Sequence, residues 1–504
     1  MSYFDKFIFM AKPVFQNYIL LPKLGVRFPE ESPDTQTENA FTRLKTNTPL
    51  DDVLNGNLTD GAVVLDTTGR RGAKLIRLPE AELPDLRAQL PGLRIVPEVF
   101  YYPQRWQQEV RRKPRRLAGQ QRAGVRIRLV EAKTNTPVAD AVVVAFTNFE
   151  EREGEQATSD AQGVVRFKSI GGLPIDQMYV YPKVGYWSFW KQTITLKNDD
   201  LFSLQPVRLD YKDAKNFFYP TPAESKPAGR GVRVGVIDTG AGPHPDLTVK
   251  GGASTVTNED PNDFADVDEH GTHVSGIIAA HGNPPTGMRG AAPEVELYAY
   301  RVFGKNSRGA SNFAIIKAIE KAVADGCDLI NMSLGGGPAD DAIEDAISFA
   351  HDNGVICFVA TGNDGRQPVS FPASFSLSLA VGAMGRKGTF PANTTDAPNV
   401  AAPFGTDKKN FVAAFSNIGP EVDLIAPGVG IVSTVPGGYA PLSGTSMACP
   451  MATGVAARLL SAETDILAMP RNAARSEAIV RFLATHVKSL GFAPTFEGIG
   501  MLFV

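Results

Sequence analysis

Cysteine is nearly absent: three residues in 504, at Cys327, Cys357 and Cys449. Odd in number and far apart, they exclude a disulfide framework. Cys327 and Cys357 lie in apolar, strand-like runs (GCDLINMSL and GVICFVATG), where a thiol reads as a small buried hydrophobe. Long apolar runs are also missing. Nothing approaches the ~18 uninterrupted apolar residues of a spanning helix, so no membrane segment is expected. The stretch MSYFDKFIFMAKPVFQNYILLPK is interrupted by Asp5, Lys6 and Lys12 and offers no small-residue cleavage site after an adequate apolar core. It does not read as a signal peptide, and a cytoplasmic protein is the simplest expectation. Nor is there an excess of charge: the net value is −3, which favours neither nucleic acid nor an anionic membrane as partner. Histidine is scarce, with six residues, of which only His270 and His273 stand close together.

What is present is the profile of an ordinary globular chain, 43% hydrophobic and 21% charged. Its length allows roughly two to four domains and a large core. Over residues 231–504, runs such as VRVGVID, DLINMSL and GVICFVAT are apolar enough to be buried on both faces, as parallel strands are. They alternate with amphipathic helices. SNFAIIKAIEKAVADG places Ile315, Ile316, Ile319 and Val323 on one face and ends at Gly326. The alternation predicts an α/β fold with a doubly wound, mostly parallel sheet.

Residues 123–210 read differently. VRIRLV, AVVVAFT, GVVRFKS, MYVYPK, QTITLK and PVRLD are short strands separated by turn-rich segments, with no long helical period. They predict a small β-sandwich, in which Trp187, Phe189 and Trp190 serve core or inter-domain packing. Residues 1–104 predict a small α+β domain. Its strands are QNYILLPK, GAVVLDTT, GAKLIRL and a last strand LRIVPEVFYY, its helix is PDLRAQL, and a polar loop runs from about Pro29 to Asp60. The 105–122 segment contains RRKPRRLAGQQR, a basic, proline-containing run that reads as an exposed linker or a cleavage site for a basic-specific protease. A second linker covers 211–230.

Three blocks carry chemistry. VRVGVIDTG ends a strand at Asp238, EHGTHVSGIIAA opens a helix at His270, and SGTSMACPMATG places Ser446 at a helix N-terminus. A serine hydroxyl is a poor nucleophile until a histidine takes its proton and a carboxylate fixes the histidine's tautomer. A helix N-terminus supplies free N–H groups and a positive partial charge, which suit a developing oxyanion. His273 reads as structural.

These blocks, in the order Asp, His, Ser, resemble the signature motifs of the subtilisin-like serine proteases, and the likeness covers roughly the last 275 residues. The resemblance implies a serine endopeptidase acting through Asp238, His270 and Ser446 on protein or peptide substrates, without a cofactor for the chemistry. It implies Asn363, in ATGNDG, as a side-chain oxyanion donor. It implies that the SLGGG block (Ser333, Leu334, Gly335, Gly336) and the stretch ending at Gly309 flank the substrate backbone. Asp364 would lie near the primary pocket and favour basic or neutral residues before the scissile bond. The 1–104 pattern resembles the family's propeptides, which fold the protease and inhibit it by laying their C-terminal end in the cleft. That makes the N-terminal domain an intramolecular inhibitor, with a cut between about Tyr101 and Arg116. The TSDAQGVVRF segment resembles the carboxypeptidase-regulatory or transthyretin-like sandwiches.

There are departures. Met451 stands where the family has histidine, and Cys449 where it has a small residue. The family's strong calcium site uses an aspartate placed like Asp246, with Asn283 as the loop ligand here, but Pro284 and Pro285 alter that loop. A separate reading is a latent regulatory protein whose site stays blocked and which acts by binding through its sandwich. A third is amide or ester transfer by the same acyl-enzyme chemistry.

Overall fold

The computed structural model describes residues 14–22, 36–54, 58–59, 61–90, 92–114, 123–219 and 228–504. Strand β1 (Phe15–Pro22) alternates between two cores. Tyr18 and Leu20 face a small core of their own, completed by helices α1 (Gln36–Arg43) and α2 (Leu83–Gln89) through Phe41 and Leu86. Ile19 and Leu21 point the other way, into the C-terminal body. With β2 (Val63–Thr67), β3 (Lys74–Pro79) and β4 (Leu93–Pro97), β1 forms a four-stranded sheet of order β2-β3-β1-β4. Lys317 fastens this sheet to the body by binding the Asp66 carboxylate at 2.8 and 3.0 Å.

Two expectations change here. The polar stretch read as a loop contains α1. LRIVPEVFYY is not one strand but two. The sheet strand ends at Pro97, and β5 (Phe100–Pro103) leaves the sheet for the C-terminal body. Asn312 makes the break: its Nδ2 donates to Pro97 O at 3.0 Å and its Oδ1 accepts from the Val99 N–H at 3.2 Å. The sequence pattern is continuous across residues 93–102, so only the partner reveals the corner.

Residues 123–204 form two sheets around one core that includes Ile127, Val143, Phe167 and Met178. Strands β6 (Ala123–Glu131), β7 (Val142–Asn148), β8 (Glu153–Thr158), β9 (Val164–Gly171), β10 (Pro174–Tyr181), β11 (Phe189–Thr195) and β12 (Asp200–Leu204) arrange as β11-β10-β7-β8 and β12-β6-β9. Here β12, not PVRLD, is the last strand. The polar edge strand β8 (EGEQAT) lacks the apolar alternation that marks its neighbours. Trp187 is buried in the core of the C-terminal body rather than in that of the two sheets.

The C-terminal body follows the expected α/β plan. After helix α3 (Ala214–Phe218) come β13 (Arg233–Asp238), β14 (Val249–Ser254), α4 (His270–Ala279), β15 (Glu296–Arg301), β16 (Ala310–Ser311) and α5 (Asn312–Ala324). Next are β17 (Leu329–Met332), β18 (Leu334–Gly335), α6 (Asp341–Asp352), β19 (Ile356–Ala360), β20 (Ser378–Arg386), β21 (Val400–Phe404) and β22 (Asn410–Ala413). The chain then passes through β23 (Leu424–Pro427), β24 (Ile431–Val435) and β25 (Gly438–Leu442) into helix α7 (Thr445–Leu460). The large sheet runs β14-β15-β13-β17-β19-β20-β22-β21, with β23 beside β20. Pairings from β14 to β20, and β20 with β23, are parallel; β22 pairs antiparallel with both neighbours. Helices α4 and α7 pack on one face and α5 and α6 on the other. Strand β13 shows why: Val234 and Val236 join the first core, Ile237 the second. Among the described residues no helix is long and apolar enough to cross a membrane.

Candidate active site

Asp238 is the last residue of β13, where the carboxyl ends of parallel strands open onto a crevice. Its Oδ1 meets His270 Nδ1 at 2.7 Å, and both side chains are buried. That bond fixes the tautomer that leaves Nε2 as the acceptor, and Nε2 has no partner among the described residues. Burial opposes an imidazolium at His270. The Asp238 charge and hydrogen bond outweigh it, and the pKa rises above the ordinary value. His273, one turn along α4, is the structural histidine expected: its Nε2 lies between Ile431 O and Ala440 O, and burial lowers its pKa to about 3.

Ser446 is the second residue of α7, in its first turn. Its Oγ donates to Ser333 O at 2.9 Å rather than to His270. The residues are brought to one place with the hydroxyl turned away from the imidazole. Such contacts tighten in the reacting complex. Asn363 is oriented by its neighbour. Its Oδ1 accepts from the Thr445 N–H at 2.9 Å and from the Thr445 hydroxyl at 3.0 Å, and Nδ2 is buried without a partner among the described residues. This network assigns the amide orientation.

Strand β5 fills the cleft. It lies antiparallel between β16 and β18, with Tyr101 opposite Ala310 and Tyr102 opposite Gly335. The expected flanking segments, Gly309 with β16 and Ser333 to Gly336, stand on its two sides. The Tyr101 ring is buried over Gly337, where an added Cβ would come within 2.6 Å of it, and its hydroxyl donates to Pro338 O at 2.7 Å. Next, the Gln104 N–H donates to Ser333 O, and Gln104 O accepts from the Ser446 N–H, each at 3.1 Å. The Trp106 N–H donates to Ser443 O at 2.7 Å. The Gln104–Arg105 peptide therefore lies directly over Ser446. Gly444 permits this: at φ 154° its place would bring a Cβ within 2.4 Å of Gln104 O.

Beyond that peptide, Arg105 Nη1 meets Glu269 Oε1 at 2.9 Å and Asp268 Oδ1 at 3.5 Å. The Trp106 ring stacks on Phe415 with centroids 5.4 Å apart. Gln104, Arg105, Asp268 and Glu269 are site residues that sequence reading did not single out. The signal lay in DEHGTH, two acids directly before His270. Asp364 is exposed and held by Asn417, whose Nδ2 donates to it at 2.9 Å. It lines the same cavity as Gln104.

The two expected calcium ligands, Asp246 and Asn283, meet protein donors. Asp246 Oδ2 accepts from the Met288 N–H at 2.8 Å and the Tyr439 hydroxyl at 2.7 Å, while Asn283 Oδ1 accepts from Arg289 at 3.3 Å. Among the described residues no group of three or more His, Cys, Asp or Glu side chains is placed to hold a metal. All three cysteines are buried and free, and burial pushes the thiols of Cys327 and Cys357 up to about 12. Met451 sits in the core.

Comparison with known proteins gives the family. The model of the subtilase family, peptidase S8, matches residues 229–486. Subtilisin BL of Lederbergia lenta is 41% identical over 230 residues, covering 45% of this chain and 76% of that protein. Subtilisin DY of Bacillus licheniformis is 40% identical over 240 residues, covering 46% and 78%. Alkaline elastase YaB of Bacillus sp. (strain YaB) is 42% identical over 230 residues, covering 45% and 54%. The chain belongs to the subtilase family of serine endopeptidases, which act on protein or peptide substrates.

Proposed function

We propose that this endopeptidase is made as an autoinhibited precursor, with residues 1–104 as its inhibitory segment, 123–210 as an accessory sandwich and Gln104–Arg105 as the bond it cuts first. The observation that carries this reading is the Ser446 N–H bound to Gln104 O at 3.1 Å, with β5 paired on both edges upstream. In the reaction, Ser446 Oγ rotates from Ser333 O toward His270 Nε2, gives up its proton there and bonds to the Gln104 carbonyl carbon. The oxygen becomes an oxyanion held by the Ser446 N–H and Asn363 Nδ2. Asp238 stabilises the imidazolium. Collapse breaks the C–N bond, His270 returns the proton to the Arg105 nitrogen, and water then hydrolyses the Gln104 ester by the same base.

The test follows the full chain and its Ser446→Ala variant by intact mass and N-terminal sequencing. Wild type is expected to release a fragment ending at Gln104 and to expose Arg105 as a new N-terminus, while the variant stays whole. A cut elsewhere, or a cut in the variant, would refute the assignment.

One observation favours the latent reading as a second possibility. The chain beyond Arg105 is also held: the Gln108 N–H donates to Tyr181 OH at 3.0 Å, and the Gly154 N–H on β8 donates to Arg112 O at 2.9 Å. A wild-type chain that stays whole and does not label with a serine-reactive phosphonate would support it.

A further inference from the structure

We infer that the pocket just beyond the scissile bond selects an arginine or lysine side chain, so that the enzyme's substrates are proteins with a basic residue directly after the cut. The inference rests on the reading of Gln104–Arg105 as the bond in the cleft. Glu269 occupies the N-cap position of α4, yet its side chain caps nothing. The only hydrogen bond of its carboxylate among the described residues is from Arg105. A carboxylate with no structural task, next to a second one at Asp268, is an expensive arrangement. Burial and the Asp268 charge raise the Glu269 pKa, and the Arg105 charge works against that. A guanidinium placed between the two carboxylates resolves the conflict. Lys183, on the two-sheet unit, is exposed and adds a smaller positive field than Arg105.

The pocket also sits beside the reacting groups. The Arg105 charge opposes an imidazolium at His270, and Glu269 and Asp268 balance that charge locally. A basic side chain is thereby admitted without penalising the general base. A substrate with an acid at this place would put a third carboxylate beside Asp268 and Glu269. On the other side of the bond the contacts are mainly backbone pairing, which reads sequence weakly.

The experiment uses the full chain with Arg105→Ala, Arg105→Glu, Glu269→Lys and the double variant Arg105→Glu/Glu269→Lys. Where wild type is cut after Gln104, Arg105→Ala is expected to slow the cut about ten- to a hundredfold, the loss of one charged hydrogen bond. Each single charge reversal should slow it further, and the double variant should recover to within about tenfold of wild type. Recovery separates pairing from damage to His270 next door. Where wild type stays whole, the same pair is read by phosphonate labelling of Ser446. Each single reversal should then speed labelling, and the double variant should restore latency. A wild-type cut at another bond overturns the underlying reading. A cut after Gln104 that Arg105→Ala leaves unchanged, or single reversals without recovery in the double variant, overturns this inference alone.

Discussion

The two sides of the Gln104–Arg105 bond are held by different physics. Upstream, β5 is gripped by backbone ladders to β16 and β18, and one side chain, Tyr101, is deeply engaged. Downstream, beside the bond, one backbone bond from Trp106 is joined by two side-chain contacts, Arg105 on Glu269 and Trp106 on Phe415, and the chain is held again only further on, by the Gln108 N–H on Tyr181 OH and by backbone bonds of Arg111 and Arg112. A ladder accepts any residue that can extend; a side-chain pocket accepts few. The comparison teaches that tolerance and selectivity are divided across the bond, with the nucleophile at the border.

The largest effect would isolate chemistry from grip. Asn363→Ala should slow the cut about 100- to 1,000-fold, the loss seen when subtilisin loses such a donor. Both arms should remain docked, as judged by hydrogen exchange at the Gln104 and Trp106 amides in the uncut chain. Next, in a Ser446→Ala background, Tyr101→Ala should weaken the upstream arm by about 3–5 kcal/mol, the usual cost of emptying a buried aromatic site. Exchange at Gln104 should rise while Trp106 stays protected. Tyr102→Ala, 47% exposed, should change little. Joint loss of protection at both amides would mean that the arms open as one unit and the comparison fails. Trp106→Ala is the converse and smaller probe. Losing the stack on Phe415 should cost about 0.5–1.5 kcal/mol beyond the buried area and expose the downstream amide first.

A pH profile gives the smallest displacement. The general base works only when neutral, so the cut slows as pH falls through the His270 pKa, which lies above 6.5. Asp238→Asn should move that midpoint downward as well as slow the reaction. Acid also acts on stability through His273. Its folded pKa of about 3 lies below the unfolded value of 6.5, so the unfolded chain binds the extra proton. Stability should therefore fall as pH drops from about 6.5 towards 3. Finally, the donors around Asp246 predict that a chelator leaves Tm unchanged; a drop restored by calcium would show a metal joining that loop.

Much of this was legible in the chain itself. Parallel strands β13, β17 and β19 and the amphipathic helix α5 of the C-terminal body follow from apolar runs and period, because burial leaves a strong imprint. Asp238, His270 and Ser446 were legible because each sits at an element end that its motif fixes. Residues that act through a partner were not. The corner at Pro97 exists only because Asn312, more than two hundred residues away, ties it. Gln104 gains its place from Ser446 and Ser333, and Arg105 from Glu269. Such residues carry no local signature, since their environment is assembled by distant chain. The polar strand β8 was missed for a related reason: as an edge strand it is fixed by pairing with β7, not by its own pattern.

Trp187 has a further consequence. It belongs by sequence to the two-sheet unit, yet its ring is packed against Gly430 inside the larger core. The Gly185 N–H bonds Tyr439 O and the Trp190 N–H bonds Asn393 O on either side. A module hung on a tether melts on its own schedule. One that shares a buried indole with its neighbour does not, because either unit can unfold only by leaving a cavity in the other. A calorimeter should therefore record residues 123–504 as a single endotherm, and Trp187→Ala should split it in two.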